Sequence, residues 1–309
     1  MAEARIFQEA PGVTRIDHGW GGPGFIASYL VEDGGELALV EAGPASTLEA
    51  LLAGIRTAGY DPAELSHILL THIHLDHAAG AGQLARIAPR ATVHVHPLGA
   101  PHLEDPSRLL ASARRLYGDQ MDALWGTMLP VPWERMRTPW DGDTIRVGGR
   151  RLVALETPGH AMHHHAYHDP DAGLVFTGDV GGIRLDGARH VRPPTPPPEV
   201  DTPAWLASID RLRALEPRML LPTHFGGIDD AAWHLDDLAA RLTDWTRLAS
   251  EQPDPAELTA LLRTRADAEL LAATEDAALV QRYAQSIPYD MMAAGLLRQA
   301  QARAKPARA

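Results

Sequence analysis

The sequence predicts an α/β fold with a helical C-terminal extension. Short apolar segments bounded by turns alternate with amphipathic segments over residues 1–228, as in proteins whose helices cover a sheet. Several of these apolar segments end at histidine or aspartate. From residue 229 onward a helical period replaces the strand pattern. We therefore expect one domain over residues 1–228 and a helical extension over residues 229–309.

The first predicted elements are three strands and a helix. Residues 12–19 alternate apolar and polar side chains, as a half-buried strand does. Residues 24–33 and 36–43 are also strand-like, and the turn residues Asp33, Gly34 and Gly35 between them favour a hairpin. Apolar residues recur at helical spacing over 46–58, which predicts the first helix.

The next predicted elements are a buried strand at 66–72, a helix at 78–88 that Pro89 stops, and a strand at 91–97. Residues 98–139 are different, because mixed helical stretches there carry several large side chains. We interpret residues 98–139 as an insert in the α/β domain.

Strands resume after the insert. Four are expected, at residues 143–149, 150–159, 164–169 and 173–179. The proline-rich stretch at 192–200 predicts an extended loop. A helix over 202–215 with Thr202 as its N-cap and a strand over 218–224 follow. The apolar faces of the C-terminal helices should pack on the first domain or on a second subunit, so a homodimer is an open alternative.

Composition excludes several classes of function. The formal charge of -12 disfavours nucleic acid and anionic membranes as partners, since both require a basic surface. The chain has no cysteine, which rules out disulfides and thiolate ligands. The N-terminus resembles no signal peptide, and no apolar run reaches the roughly 20 residues that span a bilayer. A cytoplasmic location is expected.

The segment ILLTHIHLDHAAG crowds four ligand-type side chains at the end of an apolar strand. His72 and His74 are two residues apart, so in an extended segment they point the same way and can share one metal ion. Asp76 and His77 lie where the chain turns into the next helix and can reach a second ion beside the first. Neutral imidazoles and a carboxylate suit zinc, iron or manganese.

Three later apolar strands repeat this arrangement. ETPGH ends at His160, FTGD ends at Asp179 and LPTH ends at His224. Binding sites in α/β sheets lie beyond the strand ends, so these residues should meet the first cluster. Together they make seven potential ligands, enough for two divalent metal ions, for which zinc is favoured over iron or manganese.

These residues, in this order, resemble the metallo-β-lactamase-fold hydrolases, in particular the glyoxalase II-like branch, over about residues 10–230. The resemblance implies an αβ/βα sandwich with two metals in a cleft at one edge. It implies one metal on His72, His74 and His160 and a bridging role for Asp179. The second metal is implied to lie on Asp76, His77 and His224.

The function that follows is a binuclear metal-dependent hydrolase of an ester, thioester or lactone of a small molecule. A water shared by two metal cations becomes a hydroxide nucleophile near neutral pH. Asp76 is the candidate to move a proton to the leaving group, in addition to its ligand role.

The sequence departs from the family pattern at two positions. Glu41 stands in the turn after the third strand, where family members often carry aspartate, and can still brace the ligand loop. Gly182 stands three residues after Asp179, where acyl-homoserine-lactone hydrolases of this fold carry tyrosine, which disfavours a lactonase. The glutathione-contacting pattern of glyoxalase II is also not recognisable in the C-terminal helices.

Candidate substrate contacts are less specific. Trp20 and Phe25 lie on a glycine-rich turn whose counterpart in this fold overhangs the metals, and His164 is a candidate to line the cleft. On a strand, His163 and His165 would share one face, with His164 on the other. A polar strand near the site is favoured there over a third metal site.

Other functions of the same fold remain as alternatives. One is a mononuclear-iron sulfur dioxygenase-like oxidoreductase, and another is a phosphodiesterase or nuclease, which the acidic charge disfavours. His74 argues against a flavodiiron protein, which typically has glutamate there. A regulatory protein with an inherited metal site is the non-enzyme alternative.

Overall fold

The computed structural model describes residues 5–274 and 276–304, which form four layers: helices, a seven-stranded sheet, a five-stranded sheet and helices. The strands are β1 (Arg5–Ala10), β2 (Val13–Asp17), β3 (Ala27–Asp33), β4 (Glu36–Val40), β5 (Leu65–Leu69), β6 (Thr92–His94), β7 (Met136–Arg137), β8 (Thr144–Val147), β9 (Arg150–Glu156), β10 (His165–Asp169), β11 (Leu174–Phe176) and β12 (Met219–Leu221). The helices are α1 (Leu48–Thr57), α2 (Leu75–Ala78), α3 (Ala81–Ile87), α4 (Ala100–Glu104), α5 (Ser107–Tyr117), α6 (Met121–Trp125), α7 (Thr202–Ala214), α8 (Ala231–Glu251), α9 (Pro255–Thr274), α10 (Ala277–Ser286) and α11 (Tyr289–Ala304). The predicted αβ/βα sandwich with a helical C-terminal region is confirmed.

The first sheet has the order β1-β2-β3-β4-β5-β6-β7. Its first four strands are antiparallel, and the predicted turn after Asp33 pairs that residue with Glu36. Strands β4 to β7 are parallel, so their carboxyl ends lie at one edge. The edge strand β1 was not predicted, because its partly exposed sequence RIFQEA lacks a clear apolar alternation.

The second sheet has the order β12-β11-β10-β9-β8. Strands β8 to β11 are antiparallel, and β12 pairs with β11 in parallel. This parallel pair ends at Phe176 and Leu221, so the loops that follow β11 and β12 leave the sheet side by side. The pairing brings Asp179 and His224 to the same edge.

The core between the two sheets is built by alternate residues of each strand. On β3, Tyr29 and Val31 face the second sheet, whereas Leu30 faces the helices that cover the first sheet. On β9, Leu152 and Ala154 face the first sheet. This period of two fixes the register of each strand, because a slip of one residue would expose its apolar set.

The insert and the C-terminal helices both pack on the sandwich. Met121, Trp125 and Met128 join the core that covers the outer face of the first sheet. Leu279 and Tyr283 of α10 reach the core between the sheets, so the C-terminal helices cover the first domain. Within the described residues, no helix is both long and apolar enough to cross a membrane.

The predicted start of α7 was wrong by one residue. The N-cap is Asp201, which has an extended backbone and a side chain that accepts from the backbone N–H of Ala204, while Thr202 is already helical. The domain limits of 1–228, 98–139 and 229–309 stay predictions. Residues 1–4, 275 and 305–309 lie outside the described residues.

Candidate metal centre

Four of the predicted ligands lie in the short connection between β5 and α3. His72 follows β5, and His74 is the N-cap residue of α2. Asp76 and His77 belong to the single turn of α2, which places them beside the two preceding histidines. The strand end therefore supplies side chains to both halves of the centre.

The other three predicted ligands come from later strand ends. His160 follows β9, Asp179 lies in a 3₁₀ turn after β11, and His224 follows β12. Glycine is needed before Asp179, because Gly178 has a φ of 51° and an added Cβ would lie 2.6 Å from Thr71 Oγ1. The turn can thus bring Asp179 close to the first cluster.

The first group of ligand atoms contains three imidazoles and one carboxylate. His72 Nε2 lies 3.0 Å from His74 Nδ1, and His160 Nε2 lies 2.9 Å from the same nitrogen. Asp179 Oδ2 lies 3.3 Å from His160 Nε2. All four ligand atoms are within 4.8 Å of one another, a spacing that can hold a metal ion.

The second group contains Asp76, His77 and His224. The Nε2 atoms of both histidines lie 3.2 Å from Asp179 Oδ1. Asp76 Oδ2 lies 3.5 Å from His77 Nε2 and 3.4 Å from His224 Nε2. One oxygen of Asp179 therefore faces each group, which is the position of a bridging carboxylate.

The inward-facing atoms fit a cation better than they fit one another. His77 Nε2, His224 Nε2 and Asp179 Oδ1 are buried and have no hydrogen-bond partner within the described part of the chain. His74 Nδ1 faces two imidazole nitrogens but can form a hydrogen bond with only one of them. A metal ion would satisfy these atoms together, so the donor set fits divalent metals that take nitrogen and oxygen ligands.

The opposite ring nitrogens are held by partners outside the two groups. His160 Nδ1 bonds to the Pro194 carbonyl at 2.8 Å, and His224 Nδ1 bonds to the Phe25 carbonyl at 2.7 Å. His77 Nδ1 lies 3.0 Å from a carboxylate oxygen of Glu41. Such outer partners fix the tautomer and direct Nε2 into the centre.

Glu41 connects two of the ligand loops. Besides His77, its buried carboxylate accepts hydrogen bonds from the hydroxyls of Thr71 and Thr223, the residues before His72 and His224. Its backbone has a φ of 69°, which a residue other than glycine adopts only where its surroundings enforce it. Sequence reasoning missed the two threonines, although the Thr-His dipeptide recurs at both strand ends.

Burial lowers the pKa of the imidazoles in the first group. The pKa of His72 is well below its usual value because of burial and then the neighbouring His77. Burial and then His160 act in the same direction on the pKa of His74. These imidazoles are neutral at pH 7 and offer lone pairs to a metal.

Carboxylates reverse this effect in the second group. Burial lowers the pKa of His77, but Asp76 and Asp179 outweigh it and raise that pKa well above its usual value. Burial also lowers the pKa of His224, but the Asp179 carboxylate outweighs burial and raises the pKa of His224 to about 10. Burial raises the pKa of Asp179, yet His77 and His224 hold it well below its usual value, so this carboxylate stays ionised.

The predicted substrate contacts lie at three different places. Trp20 is half-buried, stacks on Trp125 at 5.2 Å between ring centroids and donates its indole N–H to the Leu124 carbonyl. Phe25 is buried. Its backbone carbonyl accepts the hydrogen bond from Nδ1 of His224.

His164 is fully buried and stacks on His72. Its Nδ1 bonds to Thr157 Oγ1 at 2.8 Å, and its Nε2 lies 3.4 Å from the backbone N–H of Val180. It lies in the turn before β10, which begins only at His165, so the strand alternation predicted for residues 163–165 was wrong. The substrate contacts of Trp20, Phe25 and His164 stay predictions.

The family model of the metallo-beta-lactamase superfamily matches residues 21–224 of the chain. The chain belongs to the metallo-beta-lactamase superfamily. The match includes all seven residues of the two groups, from His72 to His224. The recognised resemblance is therefore confirmed at the level of the family.

Among curated relatives, a hydroxyacylglutathione hydrolase of Cereibacter sphaeroides is 34% identical over 157 residues, which cover 49% of this chain and 46% of that protein. An atrochrysone carboxyl ACP thioesterase of Aspergillus fumigatus is 27% identical over 209 residues, or 68% of this chain and 39% of that protein. The chain thus spans less than half the length of each of these relatives. Both relatives are named for hydrolytic activities.

Solved structures show the same fold. A metallo-beta-lactamase family protein from Thermus thermophilus superposes with a TM-score of 0.64 at 22% identity. The alignment covers 98% of this chain and 94% of that one, so the C-terminal helical region is included. The two proteins therefore share the fold, including the helical extension, over the described residues that the alignment covers.

Proposed function

We propose that the chain is a binuclear metal-dependent hydrolase that cleaves an ester, thioester or lactone of a small molecule. The observation that carries the proposal is the position of Asp179, whose two oxygens face two adjacent groups of ligand atoms. Two divalent ions there, zinc foremost, would supply an activated water and a Lewis acid for the carbonyl oxygen.

The chain's own residues divide the remaining tasks. Glu41, Pro194 and Phe25 hold the imidazoles in place from outside. Asp179 is almost fully buried, with 3% of its side chain exposed, so its position suits a ligand rather than a proton carrier. Asp76 has 20% of its side chain exposed and lies next to His77 and His224. It is therefore the residue that reaches substrate and moves a proton to the leaving group.

A thioester is the favoured bond among the three. The names of the hydroxyacylglutathione hydrolase and the ACP thioesterase both support a thioester substrate. Trp20 stacks on Trp125, and Tyr117 meets Trp125 edge to face. The pKa of Tyr117 is raised by burial and then by the Asp76 carboxylate. This places an apolar wall near Asp76 that suits the acyl part of a small-molecule substrate.

The test is turnover of a substrate panel by protein that is stripped with a chelator and then reloaded with zinc, manganese or iron. The panel contains thioesters, aryl esters, lactones and phosphodiesters. We expect thioester hydrolysis that the chelator abolishes and metal restores, with at least two ions bound per chain.

Two outcomes contradict the proposal. Metal-loaded protein that hydrolyses no carbonyl substrate would exclude it, and cleavage of phosphodiesters alone would favour a phosphodiesterase. A single iron per chain together with oxygen uptake on a persulfide would instead support the dioxygenase-like alternative.

A further inference from the structure

A third group of ligand-type side chains lies between the two sheets, outside the two groups of the metal centre. His96 follows β6 of the first sheet, while Glu156 ends β9 and His165 begins β10 of the second sheet. Glu156 and His165 are direct cross-strand partners. One ligand atom from each of the three side chains lies within 4.8 Å of the other two.

The orientation of His96 is fixed by its backbone neighbour. The backbone N–H of Leu98 donates to His96 Nδ1 at 3.1 Å, so the neutral ring carries its proton on Nε2. A cation bound at Nε2 therefore displaces this proton and replaces the hydrogen bond from Leu98. Glu156 Oε1 lies 3.8 Å from this Nε2. The rings of His96 and His165 are 4.6 Å apart between centroids.

Both ring nitrogens of His165 are buried. The side chain is fully enclosed, and neither Nδ1 nor Nε2 finds a hydrogen bond within residues 5–274 and 276–304. A buried polar group that is left without a partner destabilises the folded chain. A ligand bound to a ring nitrogen of His165 would therefore stabilise the folded chain.

The pair His67 and His94 shows how two neighbouring histidines satisfy each other without a ligand. His67 Nδ1 lies 3.0 Å from His94 Nε2, at a ring separation of 5.2 Å. The rings of His96 and His165 are closer than that, yet in the described part of the chain no hydrogen bond joins them. One nitrogen of each ring instead lies within 4.8 Å of a carboxylate oxygen of Glu156.

We propose that His96, Glu156 and His165 bind one divalent cation of the zinc class. Two imidazoles and a carboxylate at bond lengths of about 2.0–2.1 Å make a tetrahedral site whose fourth position takes water. Ligand atoms in such a site are about 3.3 Å apart, so the 3.8 Å between His96 and Glu156 needs only a small movement. Glu156 can make it, since 37% of its side chain is exposed.

The backbone of Glu156 is already held in place for this role. Its N–H donates to Asp141 Oδ1 at 2.9 Å, and its carbonyl accepts from Arg211 at 3.1 Å. Arg211 also binds the Asp141 carboxylate through both of its terminal nitrogens. The cation would join the first sheet, through His96, to this braced end of the second sheet, and so stabilise their packing.

The test is the number of zinc ions bound per chain, measured by equilibrium dialysis of chelator-stripped full-length protein against zinc. Glu156→Gln and His165→Gln should each bind one ion fewer than the unchanged protein. The matched control is His168→Gln, three residues along β10, which should bind as many ions as the unchanged protein. Zinc should also raise the melting temperature of the unchanged protein more than that of Glu156→Gln.

Only the difference between variants decides the matter, so the result is independent of how many ions the catalytic groups hold. Equal zinc counts for the unchanged protein and Glu156→Gln would overturn the proposal. If His165→Gln fails to fold, Glu156→Gln carries the test, because Glu156 has 37% of its side chain exposed. A loss of one ion in His168→Gln as well would also overturn it.

Discussion

The strand ends and the C-terminal helices contribute to the same centre in different ways. The strand ends supply the seven ligand-type side chains themselves, from His72 to His224. The helices, as far as their residues are described, supply no ligand but hold the loop over residues 183–195, whose Pro194 carbonyl bonds to His160. The ligand-type side chains thus lie in short local segments, whereas the positions of those segments depend on contacts with helices that are distant in the sequence.

The contact between this loop and the helices is centred on Arg192. The fully buried guanidinium donates to the Tyr283 carbonyl and to the Tyr289 hydroxyl, and it lies 4.5 Å from the Tyr289 ring centroid. Thr195 donates to the Met292 carbonyl of α11 at 3.1 Å. The helices therefore fix both ends of the segment that carries Pro194.

The largest effect is expected from Asp179→Asn at the strand ends. An amide cannot serve both groups as a bridging carboxylate does, so nucleophile and Lewis acid are weakened together. We expect turnover of the best substrate to fall by at least about a thousandfold, with fewer ions bound per chain. Asp171→Asn, an exposed change after β10, is the control for kinetics and metal content. Unchanged turnover in Asp179→Asn would remove the bridging role.

A smaller loss is expected from Glu41→Gln, which changes the brace and leaves every ligand in place. His77, Thr71 and Thr223 all contact the same carboxylate oxygen of Glu41. The amide keeps an acceptor there but loses the negative charge, so all three hydrogen bonds are weakened. Removing such a brace typically costs about 10–100-fold in metal affinity or activity. Glu49→Gln on α1 is an exposed control. Metal affinity equal to that of the control would mean that Glu41 serves the fold alone.

The sequence predicts the features that depend on local segments better than those that depend on contacts between distant parts of the chain. His72, His74, Asp76 and His77 could be found because their spacing along one strand end is a local property. The α/β class and the helical extension followed from local periodicity, and the sandwich followed from the family resemblance of these motifs. The partnership of Glu41 with Thr71 and Thr223 could not be found, because three separate loops meet there.

The group of His96, Glu156 and His165 escaped prediction for the same reason. It depends on the pairing of β9 with β10 and on the distance between two sheets, neither of which a single sequence specifies. The role of Arg192 depends likewise on α10 and α11 folding back over a proline-rich loop. The residues that the sequence did not predict are those whose roles depend on long-range contacts, whatever their residue type.

In the helical region, Tyr289→Phe should affect stability more than chemistry. The hydroxyl accepts from Arg192 and donates to Asp267 at 2.7 Å, so its removal leaves a buried guanidinium with one partner fewer. We expect the free energy of unfolding to fall by about 1–3 kcal/mol in denaturant titrations. Tyr60→Phe, whose side chain is partly exposed beyond α1, controls for the loss of a hydroxyl. A thousandfold loss of activity without destabilisation would contradict this division of roles.

The smallest effect is a pH dependence at His190, in the loop that the helices hold. Burial, and then Arg241, lower the pKa of this imidazole from 6.5 to about 2, so the folded chain does not protonate it in mild acid. The unfolded chain does take up that proton below about pH 6.5, and stability is therefore lost as the pH falls from there. His190 should contribute about 1.4 kcal/mol per pH unit to this slope, and His190→Gln should reduce the slope by that amount. Unfolding titrations between pH 7.5 and 5, run on both proteins, measure the difference. Parallel slopes would mean that His190 is protonated in the folded chain and that the helices do not shield it.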